Sequence, residues 1–177
     1  MKKRILSAVI AIFVIVCLSV SALAEEETPT EYNNMVSLLM EGETGTVLQH
    51  NGGYEKVAQG TLNKLMTVLL TAEEIESGGL SINDVVTVSS NANAQTGAVV
   101  WLMPGEEITI EELLKSVIIG NANDASVALA EIVGGNEEEF TGMMNARAFE
   151  LGMRNTVFKN PAGYDCAGQY STPYDMA

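Results

Sequence analysis

Four segments with helical spacing of apolar residues, each followed by glycine, constrain the fold of this sequence more than any other feature. They cover residues 61–75, 110–119, 124–133 and 137–151, and the glycines that follow them are Gly78-Gly79, Gly120, Gly134-Gly135 and Gly152. Apolar residues three and four positions apart form one face of a helix, and glycine ends helices because it readily adopts left-handed backbone angles. Thr109 and Glu112 form a capping box before the second segment, and Asn136 is a suitable N-cap for the fourth. The sequence therefore predicts a cluster of helices.

Short extended segments accompany these helices. Residues 36–40 and 46–49 flank a glycine-containing connection, which predicts a β-hairpin. Residues 85–88 are predicted to be extended, and the small polar residues at 91–97 are predicted to form a loop. Residues 154–177 are predicted to be an irregular loop that ends at the start of another helix. Helices combined with a short antiparallel sheet place the chain in the mixed α/β (α+β) class.

The N-terminus has the organisation of a secretory signal. Lys2-Lys3-Arg4 precede an apolar run over residues 5–20, and Ala22-Leu23-Ala24 is a small-residue cleavage site. We therefore expect a signal peptide over residues 1–24, a mature domain over 25–177, an exported protein, and membrane contact only before cleavage. An uncleaved anchor is the alternative, because the run approaches spanning length. A lipoprotein attached through Cys17 is disfavoured because Val16 precedes it, where lipid attachment normally requires a small residue.

Charge and composition restrict the function further. Removing the three basic residues of the signal changes the formal net charge from −14 to −17, which argues against nucleic acid as a partner. Cys166 is the cysteine that remains, so an internal disulfide is excluded and a semi-buried free thiol is expected. About 150 mature residues suffice for one domain with a core. The sequence has no metal-ligand cluster and no phosphate-binding glycine loop, so we expect no metal and no cofactor.

A hydroxyl and an amine at the start of the first helical segment could perform acyl transfer. Thr61 and Lys64 are three residues apart, which places them on one helix face. A desolvated amine can accept the hydroxyl proton, and the helix N-terminus favours developing negative charge. The alternative is an N-capping threonine beside a solvated lysine.

An ordered set of motifs extends this observation over nearly the whole mature chain. The motifs are Lys64-Leu65-Met66-Thr67, Gly105-Glu106 with Leu113-Leu114, Asn123-Asp124-Ala125-Ser126 with Ala128-Leu129-Ala130-Glu131, Gly134-Gly135, Leu151-Gly152-Met153, Asn155-Thr156, Asn160-Pro161 with Gly163, and Ser171-Thr172 with Tyr174-Asp175. In this order they resemble the low-molecular-mass, penicillin-binding D-alanyl-D-alanine carboxypeptidases.

The resemblance implies a β-lactamase/transpeptidase-like fold, present here incompletely as a helical cluster plus the N-terminal hairpin of the central antiparallel sheet. It also implies S-x-x-K, S-x-N and K-T-G motifs, peptidoglycan D-Ala-D-Ala peptides as substrates, and β-lactams as further ligands. On this resemblance Thr61 occupies the position of the nucleophilic serine and Lys64 that of its base. Asn121 replaces the serine of S-x-N, and Asn123 keeps the asparagine that orients the substrate amide.

Three departures from the family pattern predict reduced activity. The extra methyl of Thr61 crowds the approach of a substrate carbonyl, and Asn121 cannot relay a proton as a hydroxyl does. Lys-Thr-Gly is absent from these 177 residues. The alternatives are a non-catalytic peptidoglycan-binding or regulatory relative and a gene fragment, whose isolated hairpin would fold poorly. A class A β-lactamase is a third family option, and the sequence over 155–175 disfavours it.

Three further side chains have simpler expected roles. His50 is expected to be exposed to solvent rather than catalytic. Asp124 is expected to support the start of its helix rather than to act as an acid. Trp101 is expected to be a packing residue, and lining a cleft is the alternative.

Overall fold

The predicted hairpin is present in the structure, a computed structural model that describes residues 35–177. Strand β1 (Ser37–Met40) pairs antiparallel with β2 (Val47–Asn51), and the register shifts between Leu39 and Met40. The Glu41 carboxylate stabilises the connecting turn because it accepts hydrogen bonds from two main-chain amides that follow it. The predicted signal peptide and the residues before 35 lie outside the described part of the chain.

The first long helix begins through a tighter turn. A 3-10 turn at Gly60–Leu62 leads directly into helix α1 (Asn63–Ser77). Gly78 ends α1 with a φ angle of 83°, as its position after the helical pattern predicts. The predicted helix is confirmed, with its first residues in 3-10 rather than α geometry.

The next region contains one predicted strand and two short elements, a strand and a helix, that the sequence did not predict. Strand β3 (Val85–Thr87) is confirmed and pairs antiparallel with β4 (Glu107–Thr109), whose three residues are too few for a recognisable alternation. The predicted loop at 91–97 is wrong in its first part, because helix α2 (Ser90–Asn93) begins there. The Ser89 side chain accepts a hydrogen bond from the amide of Ala92 and caps this short helix.

The remaining helices follow the predicted segments. They are α3 (Ile110–Ile118), α4 (Asn123–Gly134), α5 (Glu137–Glu150) and α6 (Pro173–Met176). The capping box of Thr109 and Glu112 is formed, and the Asn136 side chain caps α5 by accepting from the amide of Glu139. None of the helices within residues 35–177 has both the length and the apolar character needed to cross a membrane.

Helix α4 organises the core of the compact unit formed by residues 36–177. All of its residues from 123 to 130 are buried. One apolar cluster packs α4 against α2 and α3 and includes Ile110, Leu113 and Leu129. A second cluster joins α1, α4 and α5 and includes Leu70 and Phe140. The predicted α+β class is confirmed, with helices around α4 and two short antiparallel sheets at the surface.

Candidate active site

Lys64 is a buried amine without a carboxylate partner. Its side chain lies in the first turn of α1 and is only 4% exposed, and Nζ donates a hydrogen bond of 2.7 Å to the carbonyl oxygen of Ala162. Among residues 35–177 the ion pairs are made by Lys115 and Arg147, and none involves Lys64. Burial lowers the pKa of the Lys64 amine from its ordinary 10.5 to about 8. The site therefore contains an amine that deprotonates close to neutral pH.

Thr61 is exposed in the 3-10 turn, one helical turn before Lys64. The N-cap of α1 is Leu62, and no side chain caps this helix end. The alternative of a capping threonine beside a solvated lysine is therefore wrong. Thr61 is therefore at the surface, three residues before the buried Lys64.

A loop over residues 160–164 closes against both of these residues. Ala162 accepts the Lys64 hydrogen bond, and Gly163 lies so close to the 3-10 turn that a Cβ there would be 2.0 Å from the carbonyl oxygen of Gly60 and 3.0 Å from Cα of Thr61. Gly163 also has a φ angle of 89°, which favours glycine. This loop, here called the wall, therefore packs against the main chain of Thr61 and accepts a hydrogen bond from the Lys64 amine.

Polar side chains of the motifs, to which the sequence assigned no role, fix this wall in place. The Pro161 carbonyl accepts hydrogen bonds from Thr67 Oγ1 of α1 (3.0 Å) and from Ser126 Oγ of α4 (2.9 Å). Asn160 Oδ1 accepts from the amides of Gly163 (2.6 Å) and Tyr164 (2.9 Å). The Asn-Pro-Ala-Gly sequence signals a turn, but these partners come from distant helices.

The buried side-chain amides of Asn63 and Gln169 support the same loop from the interior. Asn63 Nδ2 donates to the Asn160 carbonyl and to Gln169 Oε1, both at 2.9 Å. Asn63 is fully buried, and its Oδ1 has no hydrogen-bond partner among the described residues. Asn63, the residue directly before Lys64, is thus hydrogen-bonded to the same loop that accepts the hydrogen bond from Lys64 Nζ.

The two asparagines of the second motif lie at the start of α4 and differ in exposure. Asn121 is exposed, with a left-handed φ angle of 53°. Asn123 is buried, its main-chain amide donates to Ala98 (2.7 Å), and its Nδ2 donates to the Thr96 carbonyl (2.6 Å). Residues 96–102, here called the strap, therefore cover the helix start.

Tyr164 connects the strap to the wall. Its hydroxyl accepts from the Thr96 amide (3.1 Å) and donates to the Thr96 carbonyl (2.9 Å). Thr61 and Lys64 are thus joined through the wall, and Asn123 is joined to them through Thr96 and Tyr164. Within residues 35–177, Asn123 is linked to Lys64 by these intermediaries rather than by a direct hydrogen bond.

The other expected roles have mixed outcomes. Asp124 supports the helix start, as expected, because its buried carboxylate accepts from the amides of Val100, Leu102 and Ala125. His50 is exposed, as expected, and makes an edge contact with the Tyr54 ring.

Two expectations about surface residues are wrong. Trp101 does not pack in the interior, since 81% of it is exposed. The free thiol of Cys166 is exposed rather than semi-buried. Within residues 35–177 no three His, Cys, Asp or Glu side chains form a metal-binding group, and the absence of a cofactor stays a prediction.

Comparisons with known proteins agree with this geometry. A family model described as D-alanyl-D-alanine carboxypeptidase matches residues 23–177, and the chain belongs to this family. The chain is 39% identical over 179 residues to the D-alanyl-D-alanine carboxypeptidase DacF of Bacillus subtilis (strain 168), an alignment that covers 99% of this chain and 46% of that protein. The chain therefore spans about half the length of this relative.

Solved structures confirm the β-lactamase/transpeptidase-like fold, present here in part. The D-alanyl-D-alanine carboxypeptidase DacD from Francisella tularensis superposes with a TM-score of 0.79 at 34% identity, over 80% of this chain and 34% of that chain. Penicillin-binding protein D2 from Listeria monocytogenes, in its cefotaxime-bound form, superposes with a TM-score of 0.70 at 25% identity, over 80% of this chain and 57% of that chain.

Proposed function

We propose that this chain forms the nucleophile side of a D-alanyl-D-alanine carboxypeptidase cleft that acts on peptidoglycan stem peptides. The state of Lys64 carries this proposal. A lysine that only stabilises a fold gains from a carboxylate partner, whereas Lys64 is buried against a neutral carbonyl and its pKa falls to about 8. About a tenth of such an amine is neutral at pH 7, which is the form a general base requires.

In this proposal Thr61 is the nucleophile and Lys64 is its base. Thr61 Oγ1 attacks the carbonyl carbon of the penultimate D-alanine while its proton passes to Lys64 Nζ. The amide C–N bond then breaks, the terminal D-alanine leaves with a proton on its amine, and water hydrolyses the acyl ester. Because the carboxamide of Asn121 cannot relay a proton, water must carry the proton to the leaving group.

Asn123 orients the substrate in the same proposal. Its Nδ2 is already bonded to Thr96, so Oδ1 is the atom that can accept a hydrogen bond from a substrate amide. The strap therefore fixes the direction in which the Asn123 acceptor is presented.

The test is intact-mass analysis of the folded chain after incubation with benzylpenicillin. We expect a covalent adduct on the peptide that contains Thr61, and none in Thr61→Val, which keeps the side-chain shape without the hydroxyl. Thr87→Val is the matched control, because Thr87 is an exposed threonine on β3 and should leave the adduct unchanged. Thr61→Ser removes the crowding methyl and should react at least about tenfold faster. An adduct that survives Thr61→Val would overturn the assignment.

A second candidate is a non-catalytic peptidoglycan-binding relative, and Asn121 is the observation that favours it. An exposed carboxamide held at a left-handed φ angle can still bind a peptide, but it is neither an acid nor a base near neutral pH. This candidate predicts co-sedimentation of the folded chain with purified cell walls and no penicillin adduct. A chain that forms the adduct, or that stays in the supernatant, is not this binding protein.

We also propose that the protein is exported and acts outside the cytoplasm. The signal pattern of residues 1–24 and the membership in a family of penicillin-binding proteins support this location. Intact mass of the protein recovered from a secreting bacterial host should correspond to a mature chain that begins at Glu25. A mass that retains the first 24 residues would support the uncleaved anchor instead.

A further inference from the structure

The main chain of Tyr164 is fixed in the wall by three hydrogen bonds with two side-chain amides. Its amide donates to Asn160 Oδ1 at 2.9 Å, and its carbonyl accepts from Asn160 Nδ2 and from Gln169 Nε2, both at 2.8 Å. Gln169 is buried, and the Tyr164 ring packs against the apolar cluster around α4. The position of the phenol is therefore set by the wall and the core rather than by the strap.

The strap is exposed at the point where this phenol contacts it. Thr96, Gly97 and Ala98 are all exposed. The Tyr164 hydroxyl accepts a hydrogen bond from the Thr96 amide at 3.1 Å and donates one to the Thr96 carbonyl at 2.9 Å, so it holds both main-chain polar groups of one residue. An exposed segment that buries little apolar surface depends on such hydrogen bonds for its position.

The Thr96 carbonyl is shared between Tyr164 and Asn123. Asn123 Nδ2 donates to it at 2.6 Å, which together with the phenol uses both lone pairs of the carbonyl oxygen. Gly97 has a φ angle of 84°, and a Cβ there would be 3.1 Å from Asn123 Nδ2, so the strap lies directly against the carboxamide. A movement of Thr96 therefore changes the direction in which the Asn123 carboxamide is held.

We propose that Tyr164 is a positioning residue for Asn123. The phenol fixes the Thr96 carbonyl, the carbonyl orients Asn123 Nδ2, and Asn123 Oδ1 is thereby directed at the ligand amide. Because the wall also accepts the Lys64 hydrogen bond, the phenol fixes the carboxamide relative to the amine. This inference rests on the proposed function, which gives Asn123 its role in binding the substrate amide.

A double-mutant cycle between Tyr164 and Asn123 tests the proposal. Tyr164→Phe removes the hydroxyl and keeps the ring that packs against the core. In the wild-type background it should slow acylation of Thr61 by benzylpenicillin about tenfold, because a misplaced binding group costs reaction rate. In the Asn123→Ala background the same change should alter the rate less than about twofold, because the group that the phenol positions is gone. A purely structural contribution would slow both backgrounds equally.

Tyr170→Phe is the matched control for the loss of a phenol hydroxyl. Tyr170 lies on the segment that follows the wall, and its ring contacts Lys56, whose Nζ is 4.2 Å from the ring centroid. This variant should leave the acylation rate unchanged. An equal loss of rate in Tyr170→Phe and Tyr164→Phe would contradict a specific role for the Tyr164 hydroxyl.

Nuclear magnetic resonance of the Asn123 side-chain amide gives a second readout, which requires neither acylation nor a folded Asn123→Ala variant. Tyr164→Phe should shift this signal and speed its hydrogen exchange, and Tyr170→Phe should do neither. An unchanged Asn123 signal in Tyr164→Phe would overturn the positioning role whatever the rates.

The two readouts separate this inference from the proposed nucleophile. A shifted Asn123 signal without any penicillin adduct in the wild type would support the positioning role and overturn Thr61 as nucleophile. An adduct that forms at the same rate in Tyr164→Phe, or that is slowed equally in both backgrounds, would overturn the positioning role and leave the nucleophile in place.

Discussion

At the scale of single residues, the candidate site depends on one buried charge. Moving an ammonium out of water is unfavourable, and Lys64 is compensated by a carbonyl dipole instead of an opposite charge. The folded chain therefore disfavours the protonated amine, which is the physical cause of the lowered pKa. A fold under selection for stability alone gains from replacing such a residue, so its presence favours a chemical role.

Lys64 should make the stability of the chain depend on pH. Its pKa is about 8 in the folded chain and 10.5 ordinarily, so between these values the unfolded chain binds more protons. Stability should then rise with pH from about 8 to 10.5, because the penalty for burying the charged amine is present below pH 8 and disappears above pH 10.5. Urea unfolding at pH 7, 8.5 and 10 should show wild type gaining relative to Lys64→Met. Lys115→Met, which removes an exposed lysine, is the control, and an equal trend there would contradict the assignment.

Gly163 should tolerate substitution less well than another glycine with a similar φ angle. Gly163→Ala places a Cβ against the Gly60 carbonyl, whereas Gly105, with a φ angle of 83°, has open space around its Cβ position. Gly105→Ala should cost about 1 kcal/mol of unfolding free energy from backbone strain. Gly163→Ala should cost about 2 kcal/mol more, because the wall must move away from the 3-10 turn. Equal urea midpoints for the two variants would show that the wall can move away from the 3-10 turn without a loss of stability.

At the scale of elements, local signals predicted the helices and left the site connections unseen. Caps and glycine stops act within one turn, so the ends of α3 and α5 follow from adjacent residues. Strand β4 and helix α2 have three and four residues, too few for a periodic pattern. The spacing of Thr61 and Lys64 identified the candidate pair. The bond from Lys64 to Ala162 spans 98 positions, and no local pattern encodes such a contact.

The capping box should contribute measurably to the stability of α3. The Thr109 hydroxyl accepts from the Glu112 amide at 3.2 Å, and the Glu112 carboxylate accepts from the Thr109 amide at 3.1 Å. Thr109→Ala should lower the unfolding free energy by about 1 kcal/mol. Thr109→Ser keeps the hydroxyl and serves as the control, so both variants should be compared with wild type in urea. Similar losses for alanine and serine would mean that the methyl group of Thr109, and not the cap, provides the stability.

At the scale of the whole molecule, the helical core and the hairpin differ in how much apolar side-chain surface they bury. The helices enclose two apolar clusters around α4, whereas Leu39 of β1 and Leu48 of β2 are 56% and 61% exposed. A cavity of about 500 Å³ lies beside the hairpin, and its lining includes Leu38, Leu65 and Met176. Two-stranded hairpins with open edges are marginally stable in water and associate readily with other strands.

Self-association of the purified chain should therefore run through the hairpin. The double variant Leu39→Lys and Leu48→Lys places charge on β1 and β2, and like charges oppose edge-to-edge pairing. We expect sedimentation velocity to show a smaller aggregated fraction for this variant than for wild type, with the same thermal transition of the helical core. The double variant Ile82→Lys and Val85→Lys is the matched control, because it adds the same two charges at side chains that are 41% and 60% exposed, before and on β3. If this control suppressed association equally, the net charge would be responsible rather than the hairpin edge. An unchanged aggregated fraction in the double variant would indicate that the chain associates through the apolar cavity between the hairpin and α1 instead.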